Sequence, residues 1–185
     1  TVVRDKRFVS AIDATLSYLD VLARANVLDY KAALPLWFSC FDAKTAVLQY
    51  VDSDGAKQAA QARIDFCTKH FGASSLQAAA AFDDMGAVLL RKGDAAAGQQ
   101  FCERSLEMLK ALAPTSRSTM AAANNLGFTL FSQATALTNP TQRKRQRGLL
   151  RVSLADDVKA VLEKAEKAFL YVVARREYCP PQLFA

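Results

Sequence analysis

Two decapeptides decide the fold: Ala81-Phe82-Asp83-Asp84-Met85-Gly86-Ala87-Val88-Leu89-Leu90 and Ala122-Ala123-Asn124-Asn125-Leu126-Gly127-Phe128-Thr129-Leu130-Phe131. They lie 41 residues apart, and each passes from a paired Asp or Asn through an apolar residue and a Gly into an apolar run. Self-similarity at a period between about 20 and 50 residues marks a solenoid or array of repeated hairpins. A Gly in mid-helix costs about 1 kcal/mol relative to Ala, so Gly86 and Gly127 imply a second helix packed close against each.

Outward from these segments, apolar residues recur at spacings of three and four, punctuated by Gly, Pro, Ser and Asp, and predict about seven helices. The first runs from about Arg4 to Ala25, with Phe8, Ile12, Leu16 and Leu19 on one face, and Asn26 breaks it. The second starts near Asp29 and tolerates Pro35 in its first two turns, stopping at Ser53-Asp54-Gly55. The third spans about Ala56 to Phe71 and ends at Gly72; Ser74 or Ser75 caps a fourth that continues to Lys92. Gly93-Asp94 separates it from a fifth over about Ala95 to Leu112, closed by Pro114. A sixth starts at Ser116 or Ser118 and reaches about Leu137, and a seventh extends from about Ser153 to Tyr178, before Pro180-Pro181. Most connections are only a few residues long, which makes neighbouring helices antiparallel. The expected fold is one all-α domain over residues 1–185, a right-handed α-solenoid of about three helix pairs.

The segment Leu76 to Pro114, with Phe82, Met85, Gly86, Leu89, Gly93, Phe101, Ser105 and Leu106, resembles a tetratricopeptide repeat of the longer kind found in kinesin light chains. Asn124-Asn125-Leu126-Gly127 matches the Asn-Asn-Leu-Gly core of that repeat, and Thr115 to Thr119 stands at its inter-repeat turn. The resemblance covers Leu76 to Phe131. A weaker match runs from the second helix through Gly55 to His70-Phe71-Gly72, and an alternative register pairs the first helix with the second. The resemblance implies a concave, peptide-binding face made by Asp83, Ala87 and Leu90 in one repeat and Asn124, Phe128 and Phe131 in the next. An Asn donates to and accepts from a peptide backbone, whereas Asp83 brings charge and no donor. These polar groups equally suit bridging between neighbouring helices.

Composition narrows the function classes. About half of the 185 residues are apolar, with only 7 Gly and 5 Pro, so the chain favours helix and buries a sizeable core. No apolar run is long enough to span a bilayer. Cys40, Cys67, Cys102 and Cys179 are widely spaced without a CxxC pair, which fits a reducing compartment better than a disulfide framework. Cys67-x-x-His70 offers two ligands where zinc takes three or four, so no metal or cofactor is expected. With one His and no nucleophile–base pair, carboxylate pair or phosphate-cradling loop, the sequence argues against an enzyme.

Between the last two helices an insertion, about 138–152, carries Arg143, Lys144, Arg145, Arg147 and Arg151 without an acid. Such a run reads as a solvated loop, or as a contact for nucleic-acid phosphate, an acidic protein or anionic lipid; no aromatic lies among the charges to stack on bases. The tail, residues 179–185, is apolar enough to fold back or dock. A formal charge of +6 permits acidic partners without requiring them. The chain starts at Thr1 rather than Met and reads as a piece of something longer, so any targeting segment lies outside it. The reading is an intracellular, non-catalytic adaptor of cytoplasm or an organelle interior such as the mitochondrion, binding a protein partner within a larger complex. Its alternative is a structural or RNA-associated subunit that uses the basic 143–151 loop.

Overall fold

A computed structural model describes residues 2–25, 27–138 and 153–175. Seven helices account for most of them, and no strand occurs among the described residues. They are α1 (Val2–Arg24), α2 (Tyr30–Val51), α3 (Ser53–Phe71), α4 (Leu76–Arg91), α5 (Ala95–Leu112), α6 (Arg117–Thr138) and α7 (Ser153–Val173). The chain is all-α, as expected.

Local chemistry explains where the helices begin and end. Ser75 caps α4 by accepting from the Ala78 amide at 3.1 Å, and Asp94 caps α5 by accepting from the Ala97 amide at 3.1 Å. Ser116 does the same for α6 toward the Thr119 amide at 3.2 Å. Gly93, at φ 88°, ends α4 in the left-handed conformation, which lets its amide reach Leu90 O and the Asp94 amide reach Leu89 O. Those two bonds close the last turn while Asp94 opens the next helix, so α4 and α5 are joined by a three-residue turn.

Two boundaries differ from expectation. The break between α2 and α3 is Asp52 alone, and Gly55 lies inside the first turn of α3 rather than in a loop. Asp52 makes this sharp junction by accepting from the amides of Asp54 and Gly55 at 3.2 and 3.0 Å, satisfying two donors that a helix start leaves open. At the other end α7 gives way to a turn at 174–175, short of Tyr178. Pro35 is accommodated within α2 as expected.

The packing divides the chain into two compact units, residues 1–66 and 67–185. In the first, α1 and α2 pack antiparallel around Leu19, Ala33 and Trp37, and Lys44 of α2 pairs with Asp13 of α1 at 2.5 Å. The register in which the first helix pairs with the second is therefore the one adopted. Phe66 of α3 reaches α2 by ring contacts with Trp37, Phe38 and Phe41. Beside it the buried Arg63 is bonded to Asp42 at 2.7 Å.

In the second unit α4 packs on α5 and α6 on α7, giving two successive helix hairpins. Helix α6 also packs on both helices of the preceding hairpin, which is how a stack propagates. Its core gathers Leu106 and Leu109 of α5, Met120 and Leu130 of α6, and Ala168 and Val172 of α7. The chain is thus built from repeated helix hairpins, most regularly from Leu76 onward.

Candidate partner-binding face

Both diagnostic glycines sit at close helix crossings. A Cβ on Gly86 would meet Cys102 Sγ at 2.3 Å and Gly98 O at 3.1 Å, so α4 and α5 approach backbone to backbone. Gly98 returns the contact, since its own Cβ would lie 3.0 Å from Gly86 O. At Gly127 the space is filled by the Phe169 ring of α7, whose nearest carbon would be 2.6 Å away. The two glycines therefore serve the same role in successive hairpins, against backbone in one and an aromatic ring in the other.

This geometry orients the faces of α4 and α6. With Gly86 and Gly127 turned toward the hairpin partners, Leu126 and Leu130 point into the core. Phe128 and Phe131 are left on the open side, 55% and 56% exposed. Phe128 is held edge-on to Phe169, with centroids 5.5 Å apart and planes at 84°. Asn124 is half-buried one turn before it, and on α4 the corresponding Asp83, Ala87 and Leu90 are also half-buried. From Ser118 to Thr138 the sequence contains no ionisable side chain, so beyond its first residue, Arg117, the open side of α6 is neutral.

Asp83 does more than border this face. Its Oδ2 accepts a hydrogen bond from Asn125 Nδ2 at 2.8 Å, which ties α4 to α6 across the two hairpins. The other oxygen, Oδ1, is buried and finds no hydrogen-bond partner among the described residues. Burial pushes the Asp83 carboxyl up to about 6, with the Asn125 hydrogen bond pulling the other way. On α5 the Cys102 thiol lies 3.8 Å from Thr129 Oγ1 of α6, and Thr129 donates to Asn125 O at 2.8 Å. Burial first, and the Asp83 charge second, push that thiol up to about 12, which favours the protonated form at ordinary pH.

Of the six face residues read from sequence, Phe128 and Phe131 lie open, and Asp83 is engaged in a bridge between hairpins. The repeat pattern does not single out Asn125, Gly98 or Cys102; the small Gly98 and Cys102, four residues apart on α5, are the sequence signal for the close crossing. The basic positions Arg143, Lys144, Arg145, Arg147 and Arg151 lie outside the described residues, as does the tail. Cys67 is buried, and no cluster of three or more His, Cys, Asp or Glu suited to a metal occurs among the described residues. No described helix is long and apolar enough to cross a membrane.

No family model matches this chain, and no curated protein matches it. Among solved structures the chain is similar to the crystal structure of BtubC (BKLC) from P. vanneervenii. That likeness has 15% sequence identity and a TM-score of 0.41, over 95% of this chain and 84% of the other.

Proposed function

We propose that this protein is a non-catalytic scaffold that holds a partner polypeptide on the face formed by the open sides of α4 and α6. The observation that carries the reading is the pair Phe128 and Phe131, each more than half exposed on a helix side with no charge from Ser118 to Thr138. A helix facing only water ordinarily carries charged residues on its open side. Two phenylalanines beside the half-buried Asn124 give an apolar anchor next to a group able to pair with a peptide backbone. Ala87 and Leu90 of α4 extend the face into the preceding hairpin, with Asp83 at its border. The resemblance of Leu76 to Phe131 to tetratricopeptide repeats, whose concave faces bind extended or helical peptides, supports the same side.

The test is a pair of substitutions, Phe128→Ser with Phe131→Ser, in protein used as bait at native abundance. Circular dichroism and urea unfolding check that the variant remains folded. Partners retained by the wild type should be lost from the variant. Retention of the full set by a folded variant refutes the face. Retention that is lost only when the five basic residues from Arg143 to Arg151 are changed to Ser supports the alternative, an assembly subunit that uses the basic loop.

A further inference from the structure

The bridge between Asp83 and Asn125 has a consequence independent of any partner. Asp83 stands on α4, its donor Asn125 on α6, and the Cys102 thiol comes up to the same place from α5. The three helices belong to two successive hairpins, so this buried polar site is part of the joint between them. One carboxyl oxygen is satisfied by Asn125 and the other, Oδ1, is enclosed with no hydrogen-bond partner among the described residues. A carboxylate in such a site carries a full charge with half its acceptor capacity unmet, and low dielectric makes that expensive.

The surroundings offer little compensation. On α4 the neighbouring group is Asp84, of the same sign. On α5 the facing group is the Cys102 thiol, neutral at ordinary pH, with Glu103 next to it. Arg104 of α5 has its guanidinium on the Phe82 ring, 4.1 Å from the centroid. Helix α6 carries no ionisable side chain from Ser118 onward.

We propose that Asp83 is a proton-operated clasp between the α4/α5 and α6/α7 hairpins, which it holds more firmly when protonated than when ionised. The neutral carboxyl still accepts from Asn125 and sheds the cost of a buried charge. The direction follows from linkage. An acid whose folded value of about 6 lies above its ordinary 3.8 contributes stability that is fully present below 3.8 and is lost as pH rises through about 6. That difference corresponds to a change on the order of a hundredfold in the unfolding equilibrium.

Carbon-13 detected NMR of the Asp83 carboxyl in the intact labelled chain tests this directly. The midpoint is expected near 6 in the wild type and higher in Asn125→Leu, which removes the donor that favours the ionised form. In Asp83→Asn, unfolding by urea should match the wild type near pH 4 and become harder by on the order of a hundredfold at pH 7.5. Hydrogen exchange locates the effect. Protection of α6 amides in the wild type should fall across this window relative to α2, after correction for intrinsic rates. An Asp83 midpoint near 4 overturns the clasp, as does a gap between wild type and Asp83→Asn that is constant with pH. So does an equal loss of protection in α2 and α6. Should Asp83→Asn fail to fold, the wild-type and Asn125→Leu midpoints still decide.

Discussion

Replacing Gly86 by Ala sets two effects of known size against each other. In a mid-helix position with nothing nearby, the change stabilises by about 1 kcal/mol, because Ala loses less conformational entropy than Gly. At Gly86 the new methyl carbon would stand 2.3 Å from Cys102 Sγ, 3.1 Å from Gly98 O and 3.3 Å from Cys102 N. Carbon contacts are most favourable at about 3.5–4.0 Å, so all three distances are too short, and two of them are to backbone that a rotamer change does not move. Overpacking of this kind costs about 1–3 kcal/mol, and the backbone contacts put Gly86 toward the upper end. The net expectation is a loss of about 1–2 kcal/mol. Removing the sulfur in Gly86→Ala/Cys102→Ala should recover about 1 kcal/mol of that as coupling between the sites, with the contact to Gly98 O leaving the rest. Urea unfolding followed by far-ultraviolet circular dichroism is the assay, because Trp37 lies in the other compact unit and its fluorescence reports there. A Gly86→Ala protein as stable as the wild type, or a double mutant additive within about 0.5 kcal/mol, refutes the close crossing and with it the repeated hairpin.

Three further outcomes follow from the same packing. Ser75→Ala and Asp94→Ala should each cost about 1 kcal/mol in urea unfolding, since each side chain caps a helix by accepting from the third amide after it. Alkylation of Cys102, mapped by mass spectrometry, should be negligible in the folded protein below about pH 10 and rapid in urea, because the thiol is buried and pushed up to about 12. Phe66→Ala should destabilise the first unit by about 2–3 kcal/mol, less than a fully buried Phe because the ring is only partly buried, read from Trp37 fluorescence, by removing the ring that contacts Trp37, Phe38 and Phe41.

Much of this architecture is legible in the sequence because its signals are local and costly. A Gly inside a helix is paid for by something, and at Gly86 and Gly127 the close partner implied by that cost is present as Cys102 with Gly98 and as Phe169. Gly72 and Gly93 mark helix ends because both adopt positive φ, near 89° and 88°, where other residues are strained. The junction at Asp52 was less legible. Gly55 draws the eye as the breaker, but the first turn of a helix tolerates it, and the real cue is an Asp whose side chain meets the amides of Asp54 and Gly55. The pairing of α1 with α2 depends on which apolar stripe meets which, and both registers of the first hairpin satisfy the same periodicity.

The face of α4 and α6 shows where repeat logic stops being a guide. An offset of 41 residues makes Asp83 equivalent to Asn124, and on that basis both belong on an open face. The bond that forms is instead between Asp83 and Asn125, one position beyond the equivalent residue. A stacked hairpin does not meet its own copy residue for residue: one side of α4 lies against the next hairpin, so the two positions of each polar pair divide the work. The first Asp is drawn into the joint by the second Asn of the following repeat, leaving Asn124 at the edge beside Phe128. Replacing Asn125 should therefore disturb the joint, and replacing Asn124 should disturb the face. In urea unfolding Asn125→Leu should cost about 1–3 kcal/mol at pH 7.5 by stripping the charged Asp83 of its donor, while Asn124→Leu stays within about 0.5 kcal/mol of wild type. Equal losses at the two positions would mean that both side chains serve the joint, and that the open face begins only at Phe128.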